Sequence, residues 1–134
     1  MRIVCDTNVL VSGILFGGAA REIIRLASQG RLTSFLSPAM LDELQEVLAR
    51  PKFGLSPDQV LAVVALLRES SDLVTPSIQI AAVAADPDDN RILEAAAAAQ
   101  AEVLISGDAH LLDLRQWQGI DILTAAQFLA RLAG

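Results

Sequence analysis

Scarcity is the first thing to read in this sequence, because each missing residue type closes a route. Cysteine occurs once, at Cys5. An intrachain disulfide is therefore impossible, and a reducing cytoplasmic setting is the expected one. Histidine also occurs once, at His110, so any Ser/His or Cys/His catalytic pair would have to rest on it. Tyrosine is absent and aromatics make up 4% of the chain, against 53% hydrophobic residues. The core must then be built mainly from aliphatic side chains and alanine. No apolar run reaches the length that crosses a bilayer, and the N-terminus lacks the long apolar centre of a signal peptide. The chain has no phosphate-cradling loop ending in Gly-Lys-Ser/Thr, no HExxH and no GxSxG. Lysine appears only at Lys52, and the other nine basic residues are arginine. The net charge of −6 speaks against a generic basic nucleic-acid binder. A pocket of clustered acids would also lower the charge, and bound cations would offset it.

What the sequence does contain starts at Met1. Ile3-Val4-Cys5 is a short apolar run that suits a strand buried on both faces. Asp6, Thr7 and Asn8 follow at once. Asp6 would stand at the carboxyl end of that strand, the edge at which open α/β sheets bind ligands. A carboxylate there needs a cation or hydrogen-bond donors to face.

Further along, Ala19 to Ser28 has the period of a helix, with Ile23, Ile24, Leu26 and Ala27 inward and Gly30 as its stop. Leu32 to Leu36 is a strand candidate. Ser37-Pro38 opens a second helix, with Ser37 as N-cap and Pro38 in the first turn. That helix runs to about Ala49 and turns Met40, Leu41, Leu44, Val47 and Leu48 inward. At about 100° per residue, Glu43 falls on the flank of that face, with Asp42 and Glu46 towards solvent. Ser56-Pro57 repeats the capped start, and Asp58 to Ser70 forms a third helix. Leu73 to Thr75 is a strand candidate, and Ile78 to Ala85 reads as loop or a short element. Asp86-Pro87-Asp88-Asp89-Asn90 reads as an acidic turn before an alanine-rich helix from Arg91 to Gln100. Glu102 to Ser106 is the next strand, Gly107-Asp108 turns its end, and Ala109 to Leu114 is a short helix. Ile120 to Leu123 is a last strand. Thr124 caps a terminal helix with Phe128, Leu129 and Leu132 on its apolar side. Strands alternate with helices throughout, which calls for a three-layer α/β domain with a parallel sheet covered on both faces. The 134 residues point to one domain over 1–134.

Four acids fall at comparable places in this scheme. Asp6 ends the first strand, and Asp108 follows the strand ending near Ser106. Asp89 starts a helix, and Glu43 flanks another. If the strands bearing Asp6 and Asp108 are neighbours, their carboxylates meet at one sheet edge. Like charges so close repel unless a cation intervenes. Oxygen donors without His or Cys suit Mg²⁺ or Mn²⁺. Such a site can orient a water, lower its pKa and stabilise charge on a phosphodiester in transit. Each acid also has a plainer role: Asp6 as a turn former through Thr7 and Asn8, Asp89 and Asp108 as helix caps, Glu43 as a solvated helix acid. The functional case comes from all four together.

Four stretches, in this order and spacing, carry a resemblance. They are Cys5-Asp6-Thr7-Asn8-Val9-Leu10-Val11-Ser12, Ser37-Pro38 with Asp42-Glu43-Leu44, Asp86 to Ala96, and Ile105-Ser106-Gly107-Asp108-Ala109-His110-Leu111-Leu112. Together they resemble the PIN-domain family of metal-dependent ribonucleases, most closely its bacterial toxin branch of the VapC type. The resemblance covers essentially the whole chain. It implies a PIN-like fold with a five-stranded parallel sheet in the order 3-2-1-4-5. It implies that Asp6, Glu43, Asp89 and Asp108 are catalytic and hold Mg²⁺ or Mn²⁺, with Asn8 and Ser106 as polar residues just behind them. Asp86 and Asp88 lie near enough to contribute. The implied activity is hydrolysis of RNA phosphodiesters, and the implied partners are RNA, a cognate antitoxin and a second copy of the chain. The acidic balance leaves the RNA surface undefined, with Arg21, Arg25 and Arg91 as near-site candidates.

Two other readings use the same residues. One is an aspartate phosphotransfer protein built on Asp6. It would want a second Asp where Asn8 stands, or a Lys after a late strand, and the sole lysine is Lys52. The other is a catalytically quiet RNA- or antitoxin-binding module of the same fold.

Overall fold

The computed structural model describes residues 1–79 and 87–134. Asp86 and most of the Ile78–Ala85 stretch lie outside the described residues.

The chain opens with strand β1 (Arg2–Cys5) and passes directly into helix α1 (Thr7–Leu15). Helix α2 (Gly18–Ser28) follows, then β2 (Thr33–Leu36), α3 (Pro38–Leu48) and a 3₁₀ turn over Pro51–Phe53. After α4 (Pro57–Glu69) and β3 (Asp72–Leu73) come α5 (Pro87–Ala98), β4 (Val103–Ile105) and α6 (Ala109–Leu114). The chain ends with β5 (Gln116–Trp117), β6 (Ile120–Leu123) and α7 (Ala125–Ala133).

Among the described residues the sheet has six strands in the order β3-β2-β1-β4-β6-β5. The five strands from β3 to β6 are parallel, and their order is the expected 3-2-1-4-5. The sixth, β5, is an antiparallel addition paired with β6. It is made by a tight hairpin whose two turn residues, Gln118 and Gly119, both have positive φ. That is the turn whose twist matches the strands it joins. Ile3, Val4, Leu36, Leu104 and Ile105 are fully buried, as strands covered on both faces require. No helix among the described residues is long and apolar enough to cross a membrane.

Three local features go beyond or against the sequence pattern. The segment after Asp6 is a helix that the sequence pattern does not announce. Helix α1 is short and holds β-branched residues and a glycine. It buries Thr7, Val9, Leu10, Val11 and Gly13, so its apolar residues are not confined to one stripe. Its helical state is set by packing, above all on α2. A Cβ on Gly13 would lie 2.7 Å from Ile24 Cδ1 and 3.0 Å from the Ala20 carbonyl carbon. Second, α5 begins at Pro87 rather than Arg91, so Asp88 and Asp89 stand inside its first turn. Proline and acids both suit a first turn, the one having no N–H to leave unpaired, the others complementing the helix dipole. Third, Leu132 is 41% exposed, so the last helix turns Phe128 and not Leu132 into the core.

Candidate active site

The site is set by register. Cys5 pairs with Ile105 on the neighbouring central strands. The next residues, Asp6 and Ser106, therefore leave the sheet side by side. The Asp6 N–H donates to the Ile105 carbonyl at 2.9 Å, which extends the ladder by one bond. From there the chain starts α1, and Asp6 is its N-cap: Oδ1 accepts from the Val9 N–H at 3.1 Å. The other oxygen, Oδ2, accepts from the Ser106 hydroxyl. Ser106 Oγ in turn accepts from the Asp108 N–H at 3.0 Å. Asp108 caps α6, with Oδ1 accepting from His110 N at 2.8 Å and Leu111 N at 3.3 Å. Ser106 is thus the link that ties the two aspartates together.

Helices α3 and α5 bring the other acids to the same edge. Glu43 is half-buried, while Asp42 and Glu46 are exposed, as the helical period predicts. Asp89 is 6% exposed. Asp6, Glu43, Asp88, Asp89 and Asp108 all line one cavity of about 170 Å³, together with Asn8 and Arg50. The four acids singled out from the sequence are therefore together, and Asp88 joins them. Asp86 lies outside the described residues. A second, larger cavity of about 490 Å³ adjoins the first and shares Asn8 and Asp108 with it. Its walls are small: Ser12, Gly17, Ala19, Ala20, Gly107 and Ala125.

The electrostatics follow from this geometry. Burial pushes the Asp6 carboxyl above its ordinary value, and the nearby Asp108 pushes it the same way. The hydrogen bonds from Ser106, Val9 and Asn8 act in the opposite direction. Cys5 is buried behind Asp6, and desolvation together with that carboxylate raises its thiol to about 12. It stays protonated at neutral pH and offers no nucleophile. The His110 side chain is exposed.

The donor chemistry fits a hard divalent cation: five carboxylates and an amide on one small polar cavity. Among the described residues, no group of three or more His, Cys, Asp or Glu is already arranged to hold an ion. Asp6 and Asp108 each give lone pairs to backbone N–H groups, and a carboxylate has about four acceptor positions in all. Lone pairs therefore remain for an ion, which would draw the acids together against their repulsion.

The three arginines named from the sequence are engaged by neighbours of their own. Arg21 donates to the carbonyls of Gly13 and Ile14 at 2.9 Å each, closing the end of α1. Arg25 pairs with Glu22. Arg91 pairs with Glu94 at 2.6 Å. None of the three lines either cavity. Arg50 does, and sequence reasoning passed over it because it sits where a helix ends rather than beside an acidic motif.

The model of the PIN domain family matches residues 2–110, a span that holds all four acids. The chain belongs to the PIN-domain family. Among solved structures, this PIN domain is similar to a chain of VapBC2 from Rickettsia felis, determined bound to a DNA fragment from their promoter. The TM-score is 0.65 at 16% identity, covering 91% of this chain and 97% of that one. That likeness is one of fold. No curated protein matches the sequence significantly.

Proposed function

We propose that this PIN domain is a divalent-metal-dependent endoribonuclease and the toxin of a toxin–antitoxin pair. The observation that carries the reading is the meeting of Asp6, Glu43, Asp89 and Asp108 on one cavity at the carboxyl edge of β1 and β4. Family membership and the fold likeness to VapBC2 support it.

In this reading the four carboxylates hold Mg²⁺ or Mn²⁺. When bound, the ion supplies Lewis-acid stabilisation of a phosphodiester and a water of lowered pKa. The chain's own residues do the rest. Asp6 and Asp89 are the buried members, so their attraction for a cation is least diluted by solvent. Ser106 fixes the Asp6 carboxylate in orientation and also receives the Asp108 N–H, which sets the spacing of the two. Asn8 stands on the wall between the two cavities, where its amide can hydrogen-bond a phosphate or sugar oxygen. The larger groove gives a flexible single strand room beside the acids. Exposed apolar side chains such as Phe16, Leu61 and Leu66 offer surface for an antitoxin or a second copy.

A phosphoaspartyl mechanism on Asp6 is less well served. The sole lysine, Lys52, lines a different cavity with Leu15, Phe16 and Phe53.

The test is cleavage of single-stranded RNA with Mn²⁺ by the native chain and by Asp6→Asn. The native chain should cleave, and the variant should lose more than about 100-fold, beyond the range of residues that only support metal ligands. Equal rates would remove the acids from the chemistry. Tight RNA or antitoxin binding with no cleavage under any divalent ion would leave the quiet binding module as the correct reading.

A further inference from the structure

We propose that Arg50 is a phosphate-binding residue that anchors the nucleic-acid strand at the acidic cavity. The inference rests on the nuclease reading and adds to it the residue that offsets the strand's charge.

Arg50 is the one cation among the described residues lining a cavity with five carboxylates. In that company an ion pair would be the ordinary outcome. Yet among the described residues no acid lies within ion-pairing distance of it. Other arginines of the chain are used internally. Arg25, Arg91 and Arg131 form ion pairs, while Arg2 and Arg21 donate to backbone carbonyls. Arg50 keeps an exposed side chain, with its five donors available to an incoming anion.

Its backbone, by contrast, is fixed on both sides. The Arg50 N–H donates to the Val47 carbonyl at 3.2 Å at the end of α3. Its carbonyl accepts from Phe53 N at 3.1 Å across the 3₁₀ turn. Pro51 follows, which holds the preceding residue extended, and Arg50 has φ −62° and ψ 136°. A rigid stem with an exposed guanidinium suits a positioning residue. A guanidinium also matches the forked geometry of a phosphate, which a lysine does not. The acids repel a polyanion. A cation on the same wall lets a phosphate approach them while a divalent ion neutralises the rest.

The competing role is local. A cation near a helix C-terminus stabilises the helix through its dipole. The two roles separate by salt. Each phosphate contact on a single strand contributes about 0.7 to the slope of log affinity against log salt.

The experiment measures binding of fluorescein-labelled single-stranded RNA by anisotropy in Ca²⁺ across a KCl series, for the native chain, Arg50→Ala and Arg50→Lys. Melting temperature and Mn²⁺ affinity by calorimetry are read alongside. Arg50→Ala should reduce the slope by about 0.7 and weaken binding similarly for all RNA sequences. Arg50→Lys should keep most of the slope, because the charge remains. Mn²⁺ should bind either variant at least as tightly as the native chain. An unchanged slope in Arg50→Ala overturns the proposal, as does a lowered melting temperature with RNA affinity intact. Failure of the nuclease reading would look different: the salt slope would respond to Arg50 while Mn²⁺ produced no cleavage by the native chain.

Discussion

Asp6 and Ser37 occupy equivalent places and carry different chemistry. Each is the first residue past a strand, Asp6 after β1 and Ser37 after its neighbour β2. Each caps the helix that follows, accepting from the amide three residues on, at 3.1 Å for Val9 and 3.2 Å for Met40. Each is buried, at 4% and 1% exposure. A hydroxyl caps a helix about as well as a carboxylate does. Capping therefore explains Ser37 and leaves the charge of Asp6 unexplained. A buried carboxylate facing a second one is a liability for folding. Its presence points to a task that needs charge.

The sharpest way to break the comparison is to make the two caps alike with Asp6→Ser. The new hydroxyl can still accept from Val9, so α1 keeps its cap. Metal-free protein should become more stable at neutral pH, while Mn²⁺ binding is lost. The pH dependence gives the sign. The folded-state pKa of Asp6 is raised by burial above its ordinary value of 3.8. Between that value and the raised one, the folded chain holds a proton that the unfolded chain has released. Stability of the metal-free native chain therefore falls as pH climbs through this window and then levels off. Melting curves of both proteins in chelator should diverge as pH rises from about 4, with Asp6→Ser the higher. Coincident curves would mean that the Asp6 charge costs nothing and needs no cation.

How much of this was legible beforehand divides along the same line. The strand, the acid that ends it and the hydroxyl-capped helix at Ser37-Pro38 are local signals, and they read correctly. So did the flank position of Glu43, because α3 has a clean apolar stripe. Helix α1 carries no such signal, since its apolar residues are not confined to one stripe and its packing on α2 leaves no room for a Cβ at Gly13. The pattern puts the start of α5 at Arg91, four residues after Pro87, because proline and acids serve a turn and a first helical turn equally well. The hydrogen bonds of Ser106 and the place of Arg50 on the cavity wall could not be ranked from spacing. One depends on the register between β1 and β4, and the other on how α3 ends.

Ser106→Ala should have the next largest effect. It removes the hydroxyl that donates to Asp6 and accepts from Asp108 N, in a position that is fully buried. Residues that orient metal ligands typically contribute about 10–100-fold to metal affinity or activity. A loss in that range, measured as Mn²⁺ affinity and RNA cleavage, is expected here. Ser106→Thr, which keeps the hydroxyl, should recover part of it if the methyl is accommodated. An alanine variant with native metal affinity would reduce Ser106 to a packing residue.

Ser37→Ala is the quietest change and the control for the others. The Met40 N–H would lose its acceptor in a buried position, which costs about 0.5–2 kcal/mol of stability. Ser37 lines neither cavity, so Mn²⁺ affinity and RNA cleavage should stay native at temperatures where the variant is folded. Urea unfolding with parallel cleavage assays would check both halves. The two caps would then respond in opposite senses: removing the neutral oxygen at β2 costs stability and spares activity, while removing the charge at β1 spares stability and costs activity. If Ser37→Ala instead weakened metal binding as Asp6→Ser does, the end of β2 would belong to the site, and charge would no longer be what sets Asp6 apart.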